Sequence, residues 1–152
     1  MKKIDVPENY KYMSAFLSMR CNLGCDFCLN TFNKEGFNRT QFKEISGKQW
    51  VNALNRLELK TEIPITLTGG EPFLHKDFIY IISNLKPELK IDILSNLYFD
   101  DRRLEKFISE VNPDRIKRNS PYSSIRISYH PEQMKDPNRL VSNVKRLQDA
   151  GF

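Results

Sequence analysis

Four times along this chain the apolar residues pass from alternation at every second position to recurrence at every third or fourth, and each passage marks a strand followed by a helix. The first strand is expected over residues 13–19, with Ala15, Leu17 and Met19 on one face and Phe16 on the other, and it runs directly into Cys21. After a long polar connection at 30–44, a helix is expected from Ser46. There Ser46-Gly47-Lys48-Gln49 has the form of a capping box, and Trp50, Val51, Leu54 and Leu57 make an apolar stripe. The second strand, 63–67, is closed by Thr68-Gly69-Gly70-Glu71-Pro72, and the helix after it carries Phe78, Ile82 and Leu85 toward a stop at Pro87. A third strand, 90–94, delivers Ser95 and Asn96 to a loop. The next helix buries Leu104, Phe107, Ile108 and Val111 before Asn112-Pro113 ends it. The fourth strand, 124–129, leads to His130-Pro131, and Asp136-Pro137 opens a helix with Leu140, Val144 and Leu147 on its apolar side.

Strands that alternate with helices return to the same sheet through crossovers, so the class is α/β with a parallel sheet, wrapped by right-handed connections into an open or closed barrel. No linker, low-complexity segment or repeat beyond the βα alternation interrupts residues 1–152, which read as one domain. Gly151 is placed to cap the last helix in the left-handed conformation. A fifth strand would begin there, so the domain is expected to be incomplete at its C-terminal end.

Composition narrows the class without changing it. The chain has 152 residues, 39% of them apolar and 28% charged, enough for one core and unlike a disordered segment. Its apolar runs are too short to span a bilayer and its first residues lack a signal-peptide core, so a cytoplasmic protein without a membrane partner is expected. The net charge of +5 is spread along the chain in small clusters such as Arg115-Ile116-Lys117-Arg118. It tolerates an anionic partner without requiring one, and nucleic acid is not an expected partner.

The candidate chemistry is concentrated in three cysteines, Cys21, Cys25 and Cys28, all within eight residues. An odd, clustered set is a poor disulfide framework, and thiolates so close can ligate one inorganic centre: an iron-sulfur cluster, zinc or Cu(I). A closed structural zinc site takes four protein ligands, whereas three cysteines on a [4Fe-4S] cube leave one iron open. On spacing alone a zinc site completed by His75 or His130 stays a rival. Gly24 suits a backbone bending around a bulky centre, and Phe27 would keep water from one side of it.

The loop Cys21-Asn22-Leu23-Gly24-Cys25-Asp26-Phe27-Cys28, with an aromatic residue before its last cysteine and placed after the first strand, resembles that of the radical S-adenosylmethionine (SAM) superfamily. The resemblance extends to Gly69-Gly70-Glu71-Pro72 after the second strand, Ser95 and Asn96 after the third and Ser128 near the end of the fourth. It implies a partial TIM-like barrel, here about four of six βα units, in which the three cysteines hold a [4Fe-4S] cluster whose open iron is chelated by SAM. Phe27, Gly69, Gly70, Glu71, Ser95, Asn96 and Ser128 are then expected around the cofactors. The implied reaction is reductive cleavage of SAM to methionine and a 5'-deoxyadenosyl radical that abstracts hydrogen from a substrate, with an external donor such as flavodoxin or ferredoxin. The substrate, small molecule or peptide, and the catalytic residues are not indicated. Two rivals follow: an activase that makes a glycyl radical in a partner protein, and a non-enzymatic zinc-stabilised binding module. His130, Trp50 and His75 read as a loop histidine, a core residue and a helix-start residue.

Overall fold

The computed structural model describes residues 2–28 and 43–152, so most of the polar connection at 30–44 lies outside the described residues. In chain order the regular elements are β1 (Ile4–Val6), β2 (Met13–Ser18), α1 (Gly47–Leu54), β3 (Leu57–Leu59), β4 (Ile65–Gly69), α2 (Phe78–Asn84), β5 (Ile91–Ser95), α3 (Asp101–Glu110), β6 (Ile125–Ile127) and α4 (Pro137–Asp149). Short 3-10 turns cover Pro72–Leu74 and Pro113–Arg115.

The main sheet has the order β2-β4-β5-β6, and each neighbouring pair is parallel. Sequential order means that the chain always advances in one direction across the sheet. Right-handed crossovers then place every helix on the same side. Ala15, Leu17, Ile65, Leu67, Ile91 and Ile93 accordingly share one core with Leu54, Phe78, Ile82, Leu104, Phe107 and Leu147 from the helices. Phe107 sits at its centre, its ring 5.0 Å from that of Phe73 and 4.9 Å from that of Phe152. By alternation the opposite face carries Phe16, Thr66, Thr68, Asp92, Leu94 and Arg126. This one-sided, curled arrangement is a partial TIM-like barrel, and its concave face is polar where a two-sided sheet would be apolar.

Helix ends form as their sequences predict. Ser46 accepts from the Gln49 N–H at 3.3 Å while the Gln49 side chain accepts from the Ser46 N–H at 2.9 Å. Asp136 caps α4 by accepting from the Asn138 N–H at 3.1 Å. At the far end Gly151 adopts φ +88°, and the N–H groups of Gly151 and Phe152 close on the carbonyls of Gln148 and Leu147.

Two expectations are corrected. Leu57 is not part of the α1 stripe: it opens β3, which pairs in parallel with β1 in a separate two-stranded sheet. Asn55 decides this, because its side chain donates to Asn84 O at 3.1 Å and accepts from the Lys86 N–H at 2.8 Å, pinning the end of α1 to the end of α2. Strands of three residues are too short to show a period. β4 runs two residues later than 63–67, since Pro64 has no N–H for the ladder and Thr68 and Gly69 continue it. Among the described residues no helix is long and apolar enough to cross a membrane.

Candidate functional site

The C-terminal ends of β2, β4, β5 and β6 lie side by side, with Ser18 opposite Gly69 and Ser95 opposite Ile127, and the Ser128 N–H donates to Ser95 O at 2.9 Å. This is the edge at which parallel α/β barrels bind ligands, because every loop that follows a strand converges there. A cavity of about 160 Å³ opens on that edge, lined by Cys21, Cys25, Cys28, Phe27, Gly69, Gly70, Ser95, Asn96, Ser128 and His130. Every residue expected to meet the cofactors, Glu71 excepted, therefore borders one space. Cys25 is buried and Cys21 and Cys28 are half-buried. Burial first, then the neighbouring Cys21 and Cys28, raise the Cys25 thiol above its usual range. Phe27 is 64% exposed and tilts against the His130 ring at 5.3 Å, so it stands at the rim and shields one side only.

Glu71 lies behind this wall, fully buried. Its carboxyl accepts from Ser95 Oγ at 2.8 Å, the Asn96 N–H at 2.7 Å and the Phe73 N–H at 3.2 Å, tying the glycine turn to the end of β5. Burial pushes its pKa up to about 7 despite these three donors. A carboxyl held protonated in the folded state stabilises the fold fully below its usual value of 4.5, and that contribution is lost as pH rises through about 7. Wild type should therefore lose about 2–3 kcal/mol, relative to Glu71→Gln, between about pH 5 and about pH 8. Urea unfolding of both proteins across that range checks this, and parallel pH profiles would refute it. The variant should also be weaker throughout, because an amide offers one acceptor where three donors converge.

Gly69 has φ +130°, and a Cβ on it would lie 2.1 Å from Ser18 O; a Cβ on Gly70 would lie 2.1 Å from Arg20 O. The close approach these glycines permit is thus between two protein segments. The Gly70 N–H donates to Ser18 O and the Glu71 N–H to Arg20 O, both at 2.7 Å. The residue just before the cysteine loop is hung directly on the glycine turn.

Several residues that shape the site were not legible as such. Arg20 donates to both Glu44 carboxylate oxygens, at 2.9 and 3.0 Å, and to Leu74 O at 2.8 Å. Met134, 2% exposed, packs with Leu23 and Cys25 beneath the loop, and Gln133 accepts from the Gly24 N–H at 3.3 Å. Both lie in a stretch that reads as a polar turn, and the single Met within it was the available signal. Asn22 donates to Tyr98 O, and Tyr98 Oη accepts from the Asp136 N–H at 3.1 Å. His75 is buried in the C-cap of the 3-10 turn, its Nδ1 accepting from the Asp77 N–H at 3.1 Å and its Nε2 3.0 Å from Ile45 O. With both ring nitrogens engaged it is not poised to complete a metal site. Trp50 packs at the margin of the core.

The donor set fits an iron-sulfur cluster. Three soft sulfurs border one cavity, and the remaining lining combines the apolar side chains of Leu23, Phe27 and Leu94 with the glycine backbone, the Asn96 amide, the hydroxyls of Thr68, Ser95 and Ser128 and the His130 ring, a mixture that suits a partly polar organic ligand beside the sulfurs.

Comparison with known proteins agrees. The profile of the Radical SAM superfamily matches residues 16–152. The probable GTP 3',8-cyclase of Methanopyrus kandleri is 31% identical over 80 residues, 53% of this chain and 24% of its own length. The GTP 3',8-cyclase of Psychromonas ingrahamii is 36% identical over 77 residues, 48% of this chain and 21% of its own. Molybdenum cofactor biosynthesis protein 1 of Bos taurus is 32% identical over 79 residues, 51% of this chain and 12% of its own. In each case the matched part is a quarter or less of the relative. The superfamily profile, by contrast, starts within β2 and runs through all four βα units, and on that match the chain belongs to the radical SAM superfamily.

Proposed function

We propose that this chain is the cluster- and SAM-binding part of a radical SAM enzyme, with Cys21, Cys25 and Cys28 as the ligands of a [4Fe-4S] cluster. The observation that carries this reading is the single cavity bordered by all three cysteines together with Gly69, Gly70, Ser95, Asn96 and Ser128. When bound, the cluster and SAM supply one-electron reductive cleavage of SAM to methionine and a 5'-deoxyadenosyl radical that takes hydrogen from a substrate. The protein's part is to hold and orient. The backbone of the glycine turn and the Ser128 hydroxyl offer polar contacts to SAM, while Ser95, whose hydroxyl donates to Glu71 and accepts from the Leu97 N–H, joins Glu71 in keeping the turn at a fixed distance from β5. Phe27 and Leu23 keep water from parts of the wall. The electron comes from an external donor of flavodoxin or ferredoxin type, and the substrate is a small molecule or peptide.

Anaerobic reconstitution of the full chain with iron and sulfide tests this. About four irons and four sulfides per chain are expected, with an electron paramagnetic resonance spectrum of the reduced cluster that changes on adding SAM. Alanine at any one of Cys21, Cys25 or Cys28 should abolish that spectrum. One equivalent of zinc bound without sulfide would instead favour the zinc-stabilised module.

A further inference from the structure

We infer that Asn96 is a positioning residue that acts through Cys21: its side-chain amide donates a hydrogen bond to the Cys21 sulfur and so sets the reduction potential of the cluster this sulfur holds. The inference rests on the cluster reading above and adds to it a residue whose side chain faces the ligand sulfur.

The geometry leaves this amide little freedom. Asn96 is 6% exposed. Its Oδ1 accepts from the Tyr98 N–H at 2.9 Å, which fixes the flip of the amide and turns Nδ2 the other way. Nδ2 carries two hydrogens and has two acceptors in reach: Asn22 Oδ1 at 2.9 Å and Cys21 Sγ at 3.6 Å, a normal separation for the larger sulfur atom. The backbone is held as firmly. The Asn96 N–H donates to Glu71 Oε2 at 2.7 Å, and the following Leu97 takes φ +49°, a left-handed conformation in which its own N–H reaches Ser95 Oγ at 2.8 Å. A leucine tolerates that conformation only where its surroundings impose it, and Leu97 is fully buried, with its carbonyl accepting from Asn143 Nδ2 at 3.0 Å. The turn that aims Asn96 is therefore rigid.

The Leu23 N–H also lies 3.4 Å from Cys21 Sγ, so this sulfur faces two N–H donors. Cys25 is buried against Leu23 and Met134, with Cys21 and Cys28 at the margin of the same apolar cluster. A donor to a ligand sulfur draws charge from the iron and stabilises the more negative, reduced cluster, so the potential rises. The network also links SAM's surroundings to the cluster. Asn96 N is tied to Glu71 beside the glycine turn while its side chain touches the Cys21 sulfur, so a shift of the turn reaches that sulfur through one residue.

The experiment is an electrochemical titration of the reconstituted full chain, wild type against Asn96→Ala and Asn96→Asp. Alanine removes the donor. Aspartate keeps the acceptor toward Tyr98 and the size, but replaces the donor with an anionic oxygen. Iron and sulfide content should match wild type, and the midpoint potential should fall in both, further for aspartate. For alanine the expected fall in the ratio of reduced to oxidised cluster at a fixed poise is about tenfold, about 59 mV for a one-electron couple. Wild-type cluster content with an unchanged potential in both variants overturns the inference and leaves the cluster reading intact. Failure of wild type itself to form a [4Fe-4S] cluster defeats the underlying reading instead. Should neither variant hold a cluster, pulsed electron paramagnetic resonance of reduced wild type carrying asparagine labelled with nitrogen-15 only at the side-chain amide decides. A nitrogen-15 coupling to the cluster spin, which the backbone Leu23 N–H cannot supply, supports the hydrogen bond, and its absence overturns it.

Discussion

Replacing Gly70 by alanine is expected to lower the stability of this protein by on the order of 3–5 kcal/mol and to prevent cluster assembly. The added Cβ would stand 2.1 Å from Arg20 O, 2.5 Å from Arg20 C and 2.9 Å from Met19 C. All three are backbone atoms, so no side chain can rotate away and the segment after β2 must move. Moving it breaks the Gly70–Ser18 and Glu71–Arg20 backbone hydrogen bonds that hang the cysteine loop on the glycine turn. Glu71 is carried off its three donors at the same time. Thermal unfolding should show a drop of about 10 °C or more for a domain of this size. Gly24→Ala is the control: it lies within the cysteine loop, yet its Cβ meets nothing nearer than Gln133 Oε1 at 3.9 Å. That variant should lie within about 1 kcal/mol of wild type and assemble its cluster normally. Equal effects at the two glycines would show that the steric account is wrong.

Asp92→Ala should cost about as much, 3–5 kcal/mol by order of magnitude, through a different mechanism at the other end of the lumen. Asp92 is fully buried on β5, with Arg118 Nε at 2.8 Å and Nη2 at 2.6 Å from Oδ1, and Arg126 Nη2 at 3.6 Å from Oδ2. The Arg118 side chain is only 10% exposed, and Tyr122 covers both guanidinium groups at 4.5 and 5.5 Å. Removing the carboxylate leaves the Arg118 charge buried without its counter-ion, which is worse than never having placed the pair there. Two measurements identify the mechanism. The loss should persist at high salt, because a buried pair is little screened, and Asp92→Leu combined with Arg118→Met should be more stable than Asp92→Leu alone. A double variant no better than the single would mean that packing, not charge, is lost.

These two variants separate the roles of the barrel's two regions. The C-terminal edge is held by main-chain contacts and one buried carboxyl, and it carries the candidate chemistry. The lumen nearer the strand starts is held by a carboxylate shared between two arginines, with Arg126 Nη2 also donating to Thr66 Oγ1 at 3.0 Å. Asp92 should accordingly affect stability far more than the potential of a bound cluster, whereas Asn96 should do the reverse.

Much of this protein was determined by the sequence alone, for reasons that are local. Period-two and period-3.6 patterns reflect which side of a single element meets apolar partners, so the four βα units, the Ser46 capping box, the Asp136 cap and the Gly151 terminator could be recognised within windows of a few residues. The cysteine spacing is local in the same sense, as is the order of strand-end motifs. Tertiary structure alone decided the relations between windows. Glu71 reads as a ligand residue in its motif, yet Ser95 and Asn96, 24 and 25 residues away, draw it behind the wall. Gly70 reads as room for a ligand, yet Arg20 fills that room. Asp92 lies amid apolar strand residues, and its partners Arg118 and Arg126 appear to the sequence only as a diffuse positive charge. Met134 and Gln133, in an ordinary polar turn, become supports of the cysteine loop through contacts spanning more than a hundred residues for Gln133 and Gly24. Local patterns record what each segment buries; which segments meet is set by the curl of the sheet, and those meetings give the buried polar groups their partners and the site its shape.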